Sequence, residues 1–282
     1  MRQNRPVTTG IYDDPWAYEL ACSFRDVAAE VDVLLGWCDR HGTSRPGGVL
    51  ELAAGPAEHA REFARRGIAA TALDLHPAMC EYAAERAGRE GVALEVVQDD
   101  MTTFDLGRRF DLVVTMLDST SHLMDLDAFV AHLDRAAAHL SGRGLYVVEM
   151  SHPRDRLGDE PTTSTGWTVE RGGTRATVRW GEPSDRLDPV TQISADHVTV
   201  TITEGAGPAR IIQDVVPYRF WSATELDAAV RLSGALEPVA RYGDFGDVAL
   251  TDPGAWRMIT IFRRARGGGR PGQGAGAQPG IG

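Results

Sequence analysis

Cysteine is scarce in this chain. Three residues in 282 (Cys22, Cys38, Cys80) lie far apart, with no CxxC pair and no His–Cys cluster. That pattern argues against a disulfide framework or a structural zinc site, and it fits a reducing, cytoplasmic setting with no metal. Long hydrophobic runs are also missing: no stretch approaches the about 18 apolar residues of a membrane span. The first residues, MRQNRPVTTGIYDDPW, carry no apolar core of the signal-peptide kind. Basic residues are the minority, 29 against 40 acids, for a net charge of −11. A duplex-binding surface must neutralise phosphates, so nucleic acid is disfavoured as the main partner. What remains is ordinary for a globular chain, 43% apolar and 24% charged, long enough for one large or two small domains.

Residues 16–41 place Leu20, Phe24, Val27, Val31, Leu34 and Leu35 at helical spacing, which predicts a helix. From there short apolar strands alternate with helices. Strands are expected at Val49–Ala53, Ala69–Leu73, Ala93–Gln98, Phe110–Met116 and Gly144–Met150, and helices at Ala57–Arg66, Pro77–Glu90 and Leu126–Leu140. Continuous apolar strands between helices imply a parallel sheet covered on both faces. After Met150 the rhythm changes to polar–apolar alternation, read as three or four antiparallel strands over about residues 160–220. A helix capped by Ser222, with Glu225 three residues on, and two final strands follow. The reading is one α/β domain over 1–262, with a helical cap at 12–45 and the β-rich insertion within it. Residues 263–282, rich in glycine and proline, are read as a disordered tail.

The sharpest local signal is VLELAAGPAEH, residues 49–59. An apolar strand carrying Glu51 ends in a small-residue turn at Gly55, and Asp74 closes the next strand about 20 residues on. In an open parallel sheet ligands bind at the carboxyl ends of the strands, where the strand order reverses. A glycine lets the backbone approach a ligand closely. The following helix aims its amides and partial positive charge at the same place. A carboxylate at Asp74 can accept both hydrogen bonds of a ribose diol, although capping the next helix would also suit an acid there. A dinucleotide turn needs GxGxxG, and only the first glycine is present. Glu51 adds negative charge that a diphosphate would oppose and a cationic ligand would not. The chemistry favours S-adenosylmethionine over a nicotinamide dinucleotide.

Glu51–Gly55, Asp74, QDDM (98–101) and FDLVVTMLDSTSHL (110–123) together resemble the successive motifs of class I S-adenosylmethionine-dependent methyltransferases. The closest likeness is to the small-molecule branch that includes sugar-amine N-methyltransferases and glycine/sarcosine-type enzymes. The resemblance spans roughly residues 12–262 and is strongest over 48–150. It implies a Rossmann-like seven-stranded sheet and transfer of a methyl group to N, O or an aromatic carbon of a small acceptor, with S-adenosylhomocysteine as the product. On this likeness Glu51, Ala53 and Gly55 hold the methionine moiety and Asp74 the ribose. Leu75 packs on the adenine, Asp100 accepts from its amino group, the Met101 backbone reads the ring, and the Met116 carbonyl meets the ammonium. Met101 and Met116 also suit plain core packing. The family's second turn glycine is Ala57 here, a change that is easy at negative φ.

Candidates for the acceptor side are Tyr12, Tyr18, His122, Glu149, His152, Trp180, Tyr218 and Trp221. His122 follows the fourth strand, where it could take a proton or merely pack. Tyr12 and Tyr18 fit a lid over the cofactor, or an ordinary amphipathic helix. Glu149 and His152 sit where the fifth strand leaves the sheet, to orient an amine or to face solvent. Trp180, Tyr218 and Trp221 fit an aromatic acceptor pocket or a hairpin core. A small-molecule acceptor is the expected partner, with neither nucleic acid nor membrane, and a homodimer is compatible. The rival reading is a non-methylating protein on the same scaffold, a cyclase or a regulatory binder, that keeps the cofactor.

Overall fold

The computed structural model describes residues 10–42, 45–158, 164–205 and 207–266. Two sheets organise it. The larger has seven strands: β1 (Gly48–Leu52), β2 (Ala69–Asp74), β3 (Leu94–Gln98), β4 (Phe110–Thr115), β5 (Leu140–Ser151), β10 (Leu236–Tyr242) and β11 (Arg257–Arg264). Their order is β10-β11-β5-β4-β1-β2-β3. β1 to β5 pair in parallel, and β11 runs antiparallel to β5 and β10. The chain winds from β1 towards β3 on one side and from β4 towards β5 on the other, so the order reverses between β1 and β4. The carboxyl ends of those two strands form the crevice where an open sheet takes its ligand.

Alternation along the strands fills both faces. Leu50, Val113, Tyr146, Val148 and Phe262 point to one side, under α5 (Leu126–Ala138) and α7 (Ala223–Ser233). Val49, Leu112, Val114, Val147 and Ile261 point to the other. There they meet α2 (Val27–His41), α3 (Glu58–Arg65) and α4 (Pro77–Glu90). The capping box of α7 forms as expected: the Glu225 amide donates to Ser222 Oγ at 3.3 Å, and the Ser222 amide to Glu225 Oε2 at 2.9 Å.

The second sheet is the expected insertion, four antiparallel strands in the order β6-β7-β8-β9. They run Thr165–Arg171, Thr174–Trp180, Ile193–Glu204 and Arg210–Arg219, and a short helix, α6 (Arg154–Leu157), precedes them. The sheet's apolar face (Val178, Val198, Val200, Val216) packs on Ile11, Ala17 and Leu20 of the N-terminal segment. Burying a side chain of that size stabilises by about 1.5–3 kcal/mol, so the front of the chain and the insertion stabilise one another. A polar pin adds to this: the Ile11 amide donates to Asp214 Oδ2 on β9 at 2.9 Å.

Two expectations are corrected. The single helix over 16–41 is two helices, α1 (Pro15–Ala21) and α2. Asp26 breaks it by capping α2, accepting from the Ala29 amide at 3.0 Å, as an acid preceding a helical turn tends to do. The proposed tail boundary at 263 also falls too early. β11 continues to Arg264, with Arg263 paired to Glu237. The rest of that tail, 267–282, lies outside the described residues. Among the described residues no helix is long and apolar enough to cross a membrane.

Candidate functional site

The turn after β1 is built from unusual backbone. Ala53, Gly55 and Ala57 have φ of +50°, +52° and +57°. The negative φ that would make Ala57 easy is therefore not met. Alanine sits there in the left-handed region, fully buried, at a cost of about 1–2 kcal/mol where glycine would pay almost none. The turn persists because its neighbours hold it. Its Gly55 amide donates to Asp74 Oδ2 at 2.7 Å, and the His76 amide donates to Asp74 Oδ1 at 2.8 Å. Burial pushes the Asp74 carboxyl above its ordinary value, against those two amides. Each carboxylate oxygen has one backbone partner and a lone pair to spare. A half-buried acid beside a turn of bare backbone fits a neutral diol next to a cationic group. The donor set therefore suits the nucleoside and the sulfonium of S-adenosylmethionine.

Glu51 lies deeper than its expected role requires. Its Oε2 accepts from the Ala60 amide at 2.7 Å, in the first turn of α3, and its Oε1 faces His59 Nδ1 at 3.3 Å. His59 Nε2 reaches Glu30 Oε2 at 2.9 Å. Burial alone would lower the His59 pKa, but the hydrogen bonds to Glu30 and Glu51 outweigh it and lift the imidazole to about 9.

The remaining cofactor candidates surround the same strand ends. Leu75 is 64% exposed. Asp100 Oδ1 accepts from the Thr102 amide and hydroxyl, both at 2.7 Å. The Met101 carbonyl is 3.2 Å from His132 Nδ1. Met116 is buried and its carbonyl already accepts from Ser119 Oγ at 2.7 Å.

A cavity of about 390 Å³ opens between the carboxyl end of β4, the N-terminal segment and the insertion. Five of the sequence candidates line it: Tyr12, Tyr18, His122, Trp180 and Tyr218. Tyr12 Oη lies 3.2 Å from His122 Nε2, and the Tyr12 and Tyr18 rings lie 5.5 Å apart. Burial lowers the His122 pKa and raises that of Tyr12, so the pair rests as neutral imidazole and phenol. Tyr18 also covers the glycine turn: a β-carbon on Gly55 would lie 3.7 Å from its ring.

Glu149 and His152 do not line this cavity. Glu149 is 3% exposed and bound by Arg25 Nη2 at 2.8 Å and Arg257 Nη1 at 3.2 Å. Burial would raise its pKa, but the two guanidiniums hold it below the usual carboxylate range. It also accepts from the Leu117 amide at 2.9 Å. A carboxylate so engaged has no proton to exchange with an acceptor; it props the turn after β4. His152 is a strut as well, bonded through Nε2 to the Leu250 carbonyl at 2.9 Å and through Nδ1 to the Arg154 amide at 3.0 Å. Trp221 packs against Phe129 and donates to the Leu123 carbonyl at 3.1 Å, as part of the core.

Sequence reasoning missed several lining residues. Asp118 belongs to a quoted motif yet reads as one more polar loop residue. Phe24 and Trp167, edge to face at 5.5 Å, come from segments some 140 residues apart. Arg156 stacks over the Tyr218 ring at 4.8 Å and pairs with Asp196 at 3.5 Å. No periodicity marks any of them.

Comparison with known proteins agrees with this geometry. Residues 49–144 match the model of a methyltransferase domain. The chain is 31% identical over 186 residues to dTDP-3-amino-3,6-dideoxy-alpha-D-glucopyranose N,N-dimethyltransferase of Streptomyces fradiae, covering 66% of this chain and 67% of the relative. It is 30% identical over 214 residues to dTDP-3-amino-3,4,6-trideoxy-alpha-D-glucopyranose N,N-dimethyltransferase of Streptomyces venezuelae, covering 74% and 84%. Among solved structures, an S-adenosylmethionine-dependent methyltransferase from Clostridium acetobutylicum superposes with a TM-score of 0.72 at 14% identity, over 87% of this chain and 94% of that one. Ordered motifs, sheet order and relatives converge: the chain belongs to the S-adenosylmethionine-dependent methyltransferases, in their small-molecule branch.

Proposed function

We propose that this enzyme methylates the amino group of a small deoxyaminosugar, of the kind its relatives' names describe, attached to a nucleoside diphosphate. The carrying observation is the cavity itself. It is walled by aromatic side chains, carries carboxylates, and places the Tyr12–His122 pair within it. Aromatic faces suit the apolar faces of a sugar ring, and carboxylates suit a cationic amine. A second methyl on the same nitrogen is part of the proposal, because both relatives are N,N-dimethyltransferases.

In this reading Asp74 binds the ribose of the donor and the Ala53–Gly55 backbone lies against its methionine moiety. Leu75, Asp100 and the Met101 backbone flank the adenine, and the Met116 carbonyl meets the ammonium. Glu51 acts from behind by fixing the start of α3. When bound, the donor supplies an electrophilic methyl, and most of the reactivity is its own. The chain's task is to hold an amine lone pair in line with that methyl, which can supply effective molarities of about 10⁵ M or more. Tyr12 and Tyr18 cover the turn and exclude water. The Tyr12 hydroxyl, donating to neutral His122, keeps its own lone pairs for an acceptor N–H. Trp180 and Tyr218 form the sugar's wall.

The test is methyl transfer from labelled donor to a dTDP-3-amino-3,6-dideoxyglucose and to its 3-hydroxy counterpart, with products weighed by mass spectrometry. Addition of 14 and then 28 mass units to the amine alone is expected from replacing N–H by N–CH₃ once and twice. Methylation of the hydroxyl compound instead, or of neither, would refute the reading.

A further inference from the structure

The turn after β4 is strained in a second, separate way. Leu117 and Asp118 are consecutive, neither is glycine, and their φ values are +54° and +56°. A non-glycine residue is strained there and persists only where its surroundings over-determine it. Here they do. Glu149 takes the Leu117 amide on its carboxylate and the Asp118 amide on its main-chain carbonyl, at 2.9 and 3.2 Å. Arg25 and Arg257 lock Glu149 in place.

What this strain achieves is the position of one carboxylate. Asp118 lines the cavity, and its Oδ2 accepts from Ser151 Oγ at 2.5 Å and from Tyr218 Oη at 2.9 Å. Both donors are neutral. Other enclosed acids have cations: Glu149 has Arg25, Glu30 has Arg25 and Arg257, and Asp196 has Arg156. Asp118 has no cationic partner among the described residues. Arg156 is close by, but it stacks over the Tyr218 ring and pairs with Asp196. Burial accordingly raises the Asp118 pKa to about 6, with the two hydroxyls pulling the other way. A desolvated carboxylate held by neutral donors and facing a cavity is poised for a cation that arrives with the ligand.

We propose that Asp118 is the group that recognises the acceptor's nitrogen, binding it as an ammonium and taking up the proton it must lose before its lone pair can react. The N–H bonding pair stays on nitrogen, the proton passes to a carboxylate oxygen of Asp118, and from there it leaves to solvent. The inference rests on the amine reading above and adds the residue that selects for it. The groups facing Asp118 are Ser151 and Glu149 from β5, Tyr218 from β9 and Tyr12 from the N-terminal segment, with Arg156 of α6 stacked over the Tyr218 ring.

The experiment is calorimetric binding of the 3-amino and 3-hydroxy dTDP-sugars to the wild-type enzyme and to Asp118→Asn, with S-adenosylhomocysteine affinity as the folding control. Wild type is expected to prefer the amine by about tenfold or more, the worth of one charge-assisted hydrogen bond. Asp118→Asn should lose that preference and keep its cofactor affinity. An Asn variant that still prefers the amine as strongly overturns the assignment. A wild type that shows no preference instead sinks the amine reading itself, and this inference with it. Should the Asn variant fail to bind S-adenosylhomocysteine, Tyr218→Phe decides. With one donor fewer, the acid limb of its transfer rate must move to higher pH, and an unmoved limb counts against Asp118.

Discussion

The two sides of the cleft are made of different material. The side proposed for the donor is main chain: a turn with three left-handed residues, amides pinned to Asp74, and the start of α3 fixed by Glu51. The side proposed for the acceptor is side chain: tyrosines from the front of the chain, tryptophans from the insertion, and a carboxylate at the end of β4. Backbone geometry suits a ligand that never changes. Side chains brought from separate segments can be exchanged without disturbing the sheet, which is how one scaffold can serve many acceptors.

That contrast can be broken most forcefully at a place that touches both sides, the buried charge cluster of Arg25, Glu30, Glu149 and Arg257. Glu149→Ala strips one carboxylate from two buried guanidiniums, which must then share Glu30, and frees the Leu117 turn. It should cost about 3–5 kcal/mol of folding stability by denaturant titration, and binding on both sides should suffer. Next comes His59, lifted to about 9 between Glu30 and Glu51. Its folded pKa is above its unfolded one, near 6.5. Its stabilisation is therefore complete below pH 6.5 and lost as pH climbs through about 9. Melting temperature should fall across that window, and His59→Gln should flatten the fall.

Asp74→Ala should act on the donor side alone, weakening S-adenosylhomocysteine binding by about 10–100-fold by calorimetry, the range for hydrogen bonds to a charged group. Trp180→Ala should do the converse, raising the KM for the acceptor by about tenfold, about 1.4 kcal/mol of lost contact, with donor affinity unchanged. If either variant moved both affinities equally, the division of labour would be false. The smallest effect is expected at Ala57→Gly. Relief of the left-handed strain and loss of one buried methyl are each about 1 kcal/mol and oppose one another, so stability should shift by less than about 1 kcal/mol.

The same contrast governs what could be read from the amino acids. β1 to β5 announce themselves as apolar runs between helices, and their ends carry Gly55 and Asp74 in a fixed order. The insertion's period-2 alternation and the Ser222 cap are local signals, and both are where they were expected. What escaped is what depends on distance in the chain. Arg25 and Glu149 are 124 residues apart, so nothing near Glu149 reveals that it is a strut and not a reagent. The break at Asp26 follows from a side chain competing with its own helix, which an apolar-spacing argument ignores. The φ of Ala57 and the double left-handed turn at 117–118 are imposed by packing, against the preference of the residues themselves. Asp118 was hidden for that reason: its meaning comes from the turn that aims it.

Ile11, one residue before Tyr12, is fastened to Asp214 on the insertion's outermost strand. Adding two methyl groups to one nitrogen requires the spent donor to be replaced midway. Under the proposed double methylation, with the lid tied to the roof by that bond and by the packing of Ile11, Ala17 and Leu20, a gap wide enough for the exchange also uncovers the sugar. The half-finished product would then drift off between rounds, so a time course would show singly methylated sugar accumulating before the doubly methylated form.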